Sequence, residues 1–218
     1  ALELAAALVK MLSVDKLLLR LDRALEVLTG GSRDMPERHQ TLRATIAWSY
    51  DALDAPEQLL LARMSILTGP ADLDLLEAVC GQDLVVFDVL EVLVQRSLVR
   101  TLEIGTETRF GLLVSVRDFA AEQLGLVEAV TLRDRLVDHL LSRFRPIIDG
   151  YGHSAIFAQE APHVRAALAH LQQTEQGERE VELVAALQVG VAHSGHPAEA
   201  LAMTERALFL TAHPETPA

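Results

Sequence analysis

One cysteine, one tryptophan, two tyrosines and two lysines are all that 218 residues contain of these types. With Cys80 alone, no internal disulfide can form, which fits a reducing, cytoplasmic setting. Aromatics make up only 4% of a chain that is 50% apolar, so Leu, Ala and Val must build the core, and the many straight-chain residues favour helix over strand. The only lysines, Lys10 and Lys16, follow Val9 and Asp15. No Gly-Lys-Ser/Thr is present, and without it no P-loop lysine or glycine amides can cradle a nucleotide's phosphates. A Gly-x-Ser-x-Gly elbow is missing too, and Cys80 has no histidine near it in sequence. We therefore expect no enzyme activity from this chain and assign it no catalytic, cofactor-binding or metal-ligating residue.

Basic side chains are also scarce: 19 Lys and Arg face 31 Asp and Glu, for a net charge of −12. The deficit is even, 12 against 19 over residues 1–126 and 7 against 12 over 127–218. Such a chain repels phosphate backbones unless it gathers a local basic patch, so direct nucleic-acid binding is disfavoured. The apolar opening, ALELAAALVKMLSVDKLLLRL, is broken by Glu3, Lys10, Asp15 and Lys16, short of the roughly 20 uninterrupted residues a bilayer span needs. No basic segment precedes it, as a signal peptide would require, and no membrane partner is expected. The chain opens without Met and directly in helical pattern, which reads as a piece of something longer.

What is present is mostly helical punctuation. Residues 1–12 and 13–28 read as two helices, the second with apolar residues at Val14, Leu17, Leu18, Leu21, Leu25 and Leu28, and TGGSRDMP at 29–36 reads as a linker. In RHQTLRATIAWSYDAL (38–53), Leu42, Ile46, Tyr50 and Leu53 share one helix face, and Trp48 with Tyr50 are expected to anchor the core or its contact with the preceding segment. Asp54-Ala-Pro-Glu57 starts a further helix through about Leu67, and Asp72 caps a short one ending at Cys80-Gly81. Another runs from about Leu84 to Arg96. LVRTLEIGTETRFGLL then switches to a period of two, with Gly105-Thr106 as the turn of a β-hairpin, and a helix from about Val114 to Leu124 stops at Gly125. Three helices, a hairpin and a helix are the order of a winged-helix domain.

Helices are expected beyond it at 128–145, 154–174, 180–194 and 197–212. REVELVAALQVGVAHSGHPAEALAMTERALFLTAHPE has the marks of one tetratricopeptide-like hairpin of about 34 residues, which cannot bury its apolar face alone. The fold class is thus mainly α: a helical arm (1–35), a winged helix with one hairpin (36–126) and a helical, tetratricopeptide-like region (127–218).

Three blocks in order, RHQTLRATIAWSYDALDAPEQLLLARMSIL, DVLEVLVQRSLVR and RFGLLVSVRDFAAEQL, resemble the segment that follows the nucleotide-binding core in bacterial STAND-type regulators. These are actinobacterial NB-ARC ATPases often fused to a LuxR-type DNA-binding domain or a cyclase domain. ALELAAALVK is similar to the start of their small helical arm, and AQEAPHVRAALAHL to their C-terminal sensor region. The resemblance implies the regulatory portion of a signalling ATPase that controls transcription. ADP or ATP would then bind the full-length parent, and the partners would be the missing ATPase core, a protein effector or a second copy. The family's phosphate-contacting Met-His-Asp triplet falls on Leu112, Leu113 and Val114, and Leu113 in place of the imidazole can donate no hydrogen bond.

Two other functions compete: a stand-alone winged-helix transcription factor on DNA, and a protein-interaction scaffold that does not switch. Winged helices often read DNA with their third helix. Here that helix, Leu84 to Arg96, carries Asp88 and Glu91 against Arg96, and its Val85, Val86, Leu90, Val92, Leu93 and Val94 are expected to be mostly buried. The hairpin offers Arg100 and Arg109, offset by Glu103 and Glu107. His193 and His196 read as a solvated turn rather than a metal site, and Arg117 with Asp118 as a surface ion pair or helix cap.

Overall fold

Asp54 and Glu57 show how this chain starts a helix. The Asp54 carboxylate accepts the Glu57 N–H at 3.1 Å while the Glu57 carboxylate accepts the Asp54 N–H at 3.0 Å, with Pro56 in the first turn needing no donor. The computed structural model describes residues 43, 45–105, 107–145, 150–192 and 197–212. Its elements are α1 (45–51), α2 (Ala55–Met64), α3 (Leu73–Cys80), α4 (Val86–Gln95), β1 (Val99–Ile104), β2 (Glu107–Leu112), α5 (Val114–Gln123), α6 (Leu126–Phe144), α7 (Gly150–Gln173), α8 (Gly177–Ala192) and α9 (Pro197–Ala212). The helices expected over 1–28, the linker at 29–36 and the turn with His193 and His196 lie outside the described residues.

The chain is mainly α with a winged helix. β1 and β2 pair antiparallel from Val99 opposite Leu112 to Ile104 opposite Glu107, and Gly105 turns between them at φ 65°, a left-handed value that costs glycine nothing. Ala71, between α2 and α3, adds a third strand one residue long. It exchanges both backbone hydrogen bonds with Phe110, at 2.9 and 2.8 Å. A single paired residue has no periodicity, so sequence reading does not see it.

Two helices end on a left-handed residue that is not glycine. After α4 the Leu98 N–H bonds the Leu93 carbonyl and the Ser97 N–H that of Val94, with Ser97 left-handed at φ 61°. After α7 the Gln176 N–H reaches Leu171 in the same way, over Glu175 at φ 55°. Both are Schellman ends that carry a Cβ where glycine is favoured.

One apolar core runs from Ile46 to Ala207. α4 and α5 pack on α2, α6 packs on α3, α7 and α8 lie on α6, and α9 covers α8. α6 is the centre: Leu132, Leu136 and Leu140, four residues apart on one stripe, are fully buried, and Phe144 continues them.

The expected role of Trp48 is corrected. Its side chain is 75% exposed, whereas Ile46 is buried and Tyr50 meets the Phe119 ring edge-on at 5.4 Å. At about 100° per residue, Trp48 stands roughly 200° from Ile46 and cannot share its face. Smaller corrections concern helix ends. α2 stops at Met64 rather than Leu67, and Ile66 and Leu67 stay buried in a turn. Gly125 does not sit left-handed as a stop; its φ of −67° makes it the N-cap of α6.

Replacing Asp54 with Ala removes the carboxylate that accepts the Glu57 N–H and leaves only the Glu57 arm on the backbone N–H of residue 54. It should lower stability by about 0.5–2 kcal/mol in urea unfolding followed by circular dichroism.

Candidate functional site

Two surfaces carry chemistry: the outer side of α4 with the hairpin, and the seam where the hairpin meets α7. On α4, Val86, Leu90 and Leu93 are buried while Phe87, Asp88, Glu91 and Gln95 face solvent. Val85, at the helix start, is exposed as well, which corrects its expected burial. Gln95 donates to Glu91. Arg96 is turned back on the fold, donating to the Ala52 carbonyl at 2.9 Å and lying 3.9 Å from Glu57. The outward side of the third helix is therefore apolar and acidic. At the hairpin, Arg100, Glu103 and Glu107 are exposed, but Arg109 is not.

Arg109 is the largest fully buried side chain among the described residues. Strand alternation points it inward with Gly111, and its guanidinium donates to Pro70 O at 3.3 Å, Gln159 Oε1 at 3.0 Å and Glu160 Oε1 at 2.9 Å. Asp72 and Glu107 stand 3.5 and 3.3 Å away. Arg143 from α6 closes the cluster, 2.9 Å from Asp72 and 3.7 Å from Glu160. Asp72 serves twice, since its other oxygen caps α3 by accepting the Leu75 N–H. Burial works against the charge of Arg109, but the Glu160 hydrogen bond and charge, helped by Asp72 and Glu107, outweigh it and hold its pKa above the ordinary arginine value.

Backbone contacts extend the seam. Thr68 Oγ1 donates to Pro162 O at 2.8 Å, and a Cβ on Gly69 would come within 3.1 Å of the Pro162 ring. His163 Nε2 lies 3.3 Å from Pro70 O, a pure acceptor, so that nitrogen carries the proton. Glu160 Oε2, Arg109 Nε, Arg143 Nε, His163 Nδ1 and His139 Nε2 are buried without a protein hydrogen-bond partner. A cluster with so many unmatched atoms is a costly way to gain stability; what it provides is a defined seat for the hairpin against α7.

Leu112, Leu113 and Val114 form the β2–α5 junction, with Leu113 at the N-cap of α5, 41% exposed and making no cap bond. Three aliphatic side chains do not fit a phosphate. Among the described residues no group of three or more His, Cys, Asp or Glu is placed to hold a metal ion. Cys80 is buried, and burial pushes its thiol up to about 12, which makes it a poor nucleophile. Arg117 donates to the Thr68 carbonyl at 3.4 Å. An open cavity of about 620 Å³ between α6 and α8 contains Arg145 and Arg179, but Glu182 and Asp138 already neutralise them. No described helix is long and apolar enough to cross a membrane.

Of the residues singled out in the sequence, Arg109 is the one whose surroundings give it a role, and not the solvent-facing role expected. Gln159, Glu160, Pro162 and His163, its neighbours on α7, stand in AQEAPHVRAALAHL, which carries a family resemblance but no local sign of a contact with the hairpin. An arginine at an inward strand position is the clue, because such a charge requires a buried acid.

The geometry and the comparisons agree on the class: residues 53–125 match the winged helix-turn-helix domain family. A protein of Mycobacterium tuberculosis named, provisionally, as an HTH-type transcriptional regulator is 41% identical over 129 residues, covering 57% of this chain and 15% of that protein. A Mycobacterium bovis protein of the same description shows the same values. An uncharacterized M. tuberculosis protein is 34% identical over 143 residues, covering 62% of this chain and 36% of its own length. The chain thus spans about 15% of the regulators it matches. No solved structure matches.

Removing one partner of the Arg109–Glu160 pair leaves an unpaired buried charge. Arg109→Met should cost about 3–5 kcal/mol in chemical unfolding, and adding Glu160→Met should restore much of it. Burial lowers the pKa of both His163 and His139. Their contribution to stability is complete above the unfolded value of about 6.5 and is lost as the pH falls from there toward the depressed folded values. The Tm should hold steady from about pH 8 to 7 and drop between about pH 6.5 and 5, with a shallower drop in His163→Gln.

Proposed function

We propose that this chain is the regulatory portion of a transcriptional regulator, and that its winged helix works by packing against protein. One observation carries the reading: the side of α4 that a winged helix would turn to the major groove presents Phe87, Asp88 and Glu91 and no cation, while the hairpin's Arg109 is buried against α7. In the finer version, the parent is a STAND-type ATPase, supported by the three sequence blocks and their order. Residues 1–35 are then the arm, 36–126 the winged helix and 127–218 a tetratricopeptide-like sensor that binds a protein. The parent's nucleotide core would hold ADP or ATP, and the winged helix would maintain its closed state through packing alone, since Leu113 offers no phosphate contact.

A second reading is that the winged helix itself binds DNA. The domain match over 53–125 and the name of the mycobacterial relatives fit this reading more directly than they fit an ATPase context, and it makes DNA the first partner to test. The charge of the exposed surface argues the other way. A fluorescence titration of the chain against duplex DNA at low salt separates the two. We expect no saturable binding; saturable binding that weakens steeply with added salt would overturn the packing reading in favour of DNA recognition.

A further inference from the structure

The exposed apolar residues at the start of α4 have counterparts at the start of α6, and Arg63 ties the two helix starts together. Its guanidinium donates to Gln82 O at 2.6 Å and Cys80 O at 3.0 Å before α4, and to Glu128 at 2.7 Å in the first turn of α6. Three residues past Gln82 stands Val85, 67% exposed; just before Glu128 stand Leu126 and Val127, 87% and 83% exposed. Phe87 adds a ring that is 57% exposed. Val85 occupies the N-cap of α4 and makes no side-chain cap bond, although Ser, Thr, Asp or Asn there would satisfy a free N–H. A helix start that forgoes its cap for a solvent-facing valine has an apolar side chain where local stability calls for a polar one.

Charge narrows what such a surface fits. Residues 81–95 and 124–132 contain no Lys or Arg and four acids, Asp83, Asp88 and Glu91 beside Glu128, which Arg63 already pairs. Arg63 is buried between the helices, Arg135 donates to the Gln82 side chain, Arg96 past the first segment is turned to the Ala52 carbonyl, and Arg133 follows the second segment. The geometry points to a docking surface, formed by the start of α4 and the first turn of α6, that receives a cationic amphipathic helix of a protein partner. Its apolar face would cover Val85, Phe87, Leu126 and Val127, and its lysines or arginines would meet the acidic fringe. This rests on the packing reading above and names the partner's chemistry. A second copy of this chain is disfavoured by its net charge of −12, and duplex DNA offers neither an apolar face nor a positive one.

The test uses the whole chain and a fluorescein-labelled helical peptide of about 18 residues with leucines on one face and lysines on the other, beside a leucine-glutamate counterpart. Saturable binding of the lysine peptide is expected, weakening several-fold from about 50 to about 300 mM salt. Val85→Ser with Val127→Ser should weaken it at least about tenfold, and Leu208→Ser, an exposed apolar residue on α9, less than about twofold. Val85→Ser alone should raise the Tm by about 2–4 °C, because it supplies the missing cap, so weaker binding cannot be put down to unfolding. No binding of the lysine peptide, equal binding of the glutamate peptide, or equal affinity in the double variant would overturn the proposal. Binding of duplex DNA that the double variant abolishes would also overturn it, and the packing reading with it. The peptide results alone leave the packing reading standing.

Discussion

A single buried guanidinium holds the hairpin in place. The Arg109 side chain leaves β2 on its core side, so its charge must be met by acids that the rest of the chain brings in, from Asp72 at the head of α3 to Glu160 on α7. Because Asp72 also caps α3 and accepts Arg143 from α6, one carboxylate ties together the wing, α3 and α6. Thr68, Gly69 and Pro70 complete the seat with backbone and van der Waals contacts to Pro162 and His163. The charges nearly balance, which is why so polar a seam can be closed to water at all.

The hairpin is therefore not a free arm. In winged helices that grip DNA, a basic third helix and an accessible basic wing supply the phosphate contacts. Here the wing's inward arginine serves the seam, Arg96 serves the α1–α2 turn, and Arg63 serves the junction of α3, α4 and α6. Around α4, Arg63 is held inside the fold and Arg96 is bonded back to it, while Phe87, Asp88 and Glu91 on the helix and Arg100 on the wing remain exposed. That division of labour keeps the winged-helix architecture, changes the chemistry of its usual contact surface, and puts the proposed docking surface where the recognition surface of a DNA-binding relative would be.

Local signals are legible in the sequence. The Asp54 and Asp72 caps, the proline in the first turn of α2, the period-two stretch folding back at Gly105 and the four-residue leucine spacing of α6 each act through neighbours along the chain, so the residue order alone reveals them. Even the position of Trp48 is implicit: the face set by Ile46 and Tyr50 excludes it, and the expectation of a core tryptophan gives its size more weight than its angle. Signals that depend on distant partners are not legible. The one-residue strand at Ala71 and the left-handed Ser97 and Glu175 have no pattern to announce them, and Arg109 looks like one of two surface bases because its partner Glu160 lies 51 residues away.

The sequence by itself determined the mainly helical class, the order of helices and hairpin and the acidic balance, since helix propensity, capping and alternation operate over a few residues and net charge requires no folding. Tertiary structure alone decided which charges are spent and which remain. Burying an arginine in a low-dielectric interior is tolerable only where a folded neighbour supplies the opposite charge, so the fate of Arg109, and with it the character of the exposed surface, was settled when β2 met α7.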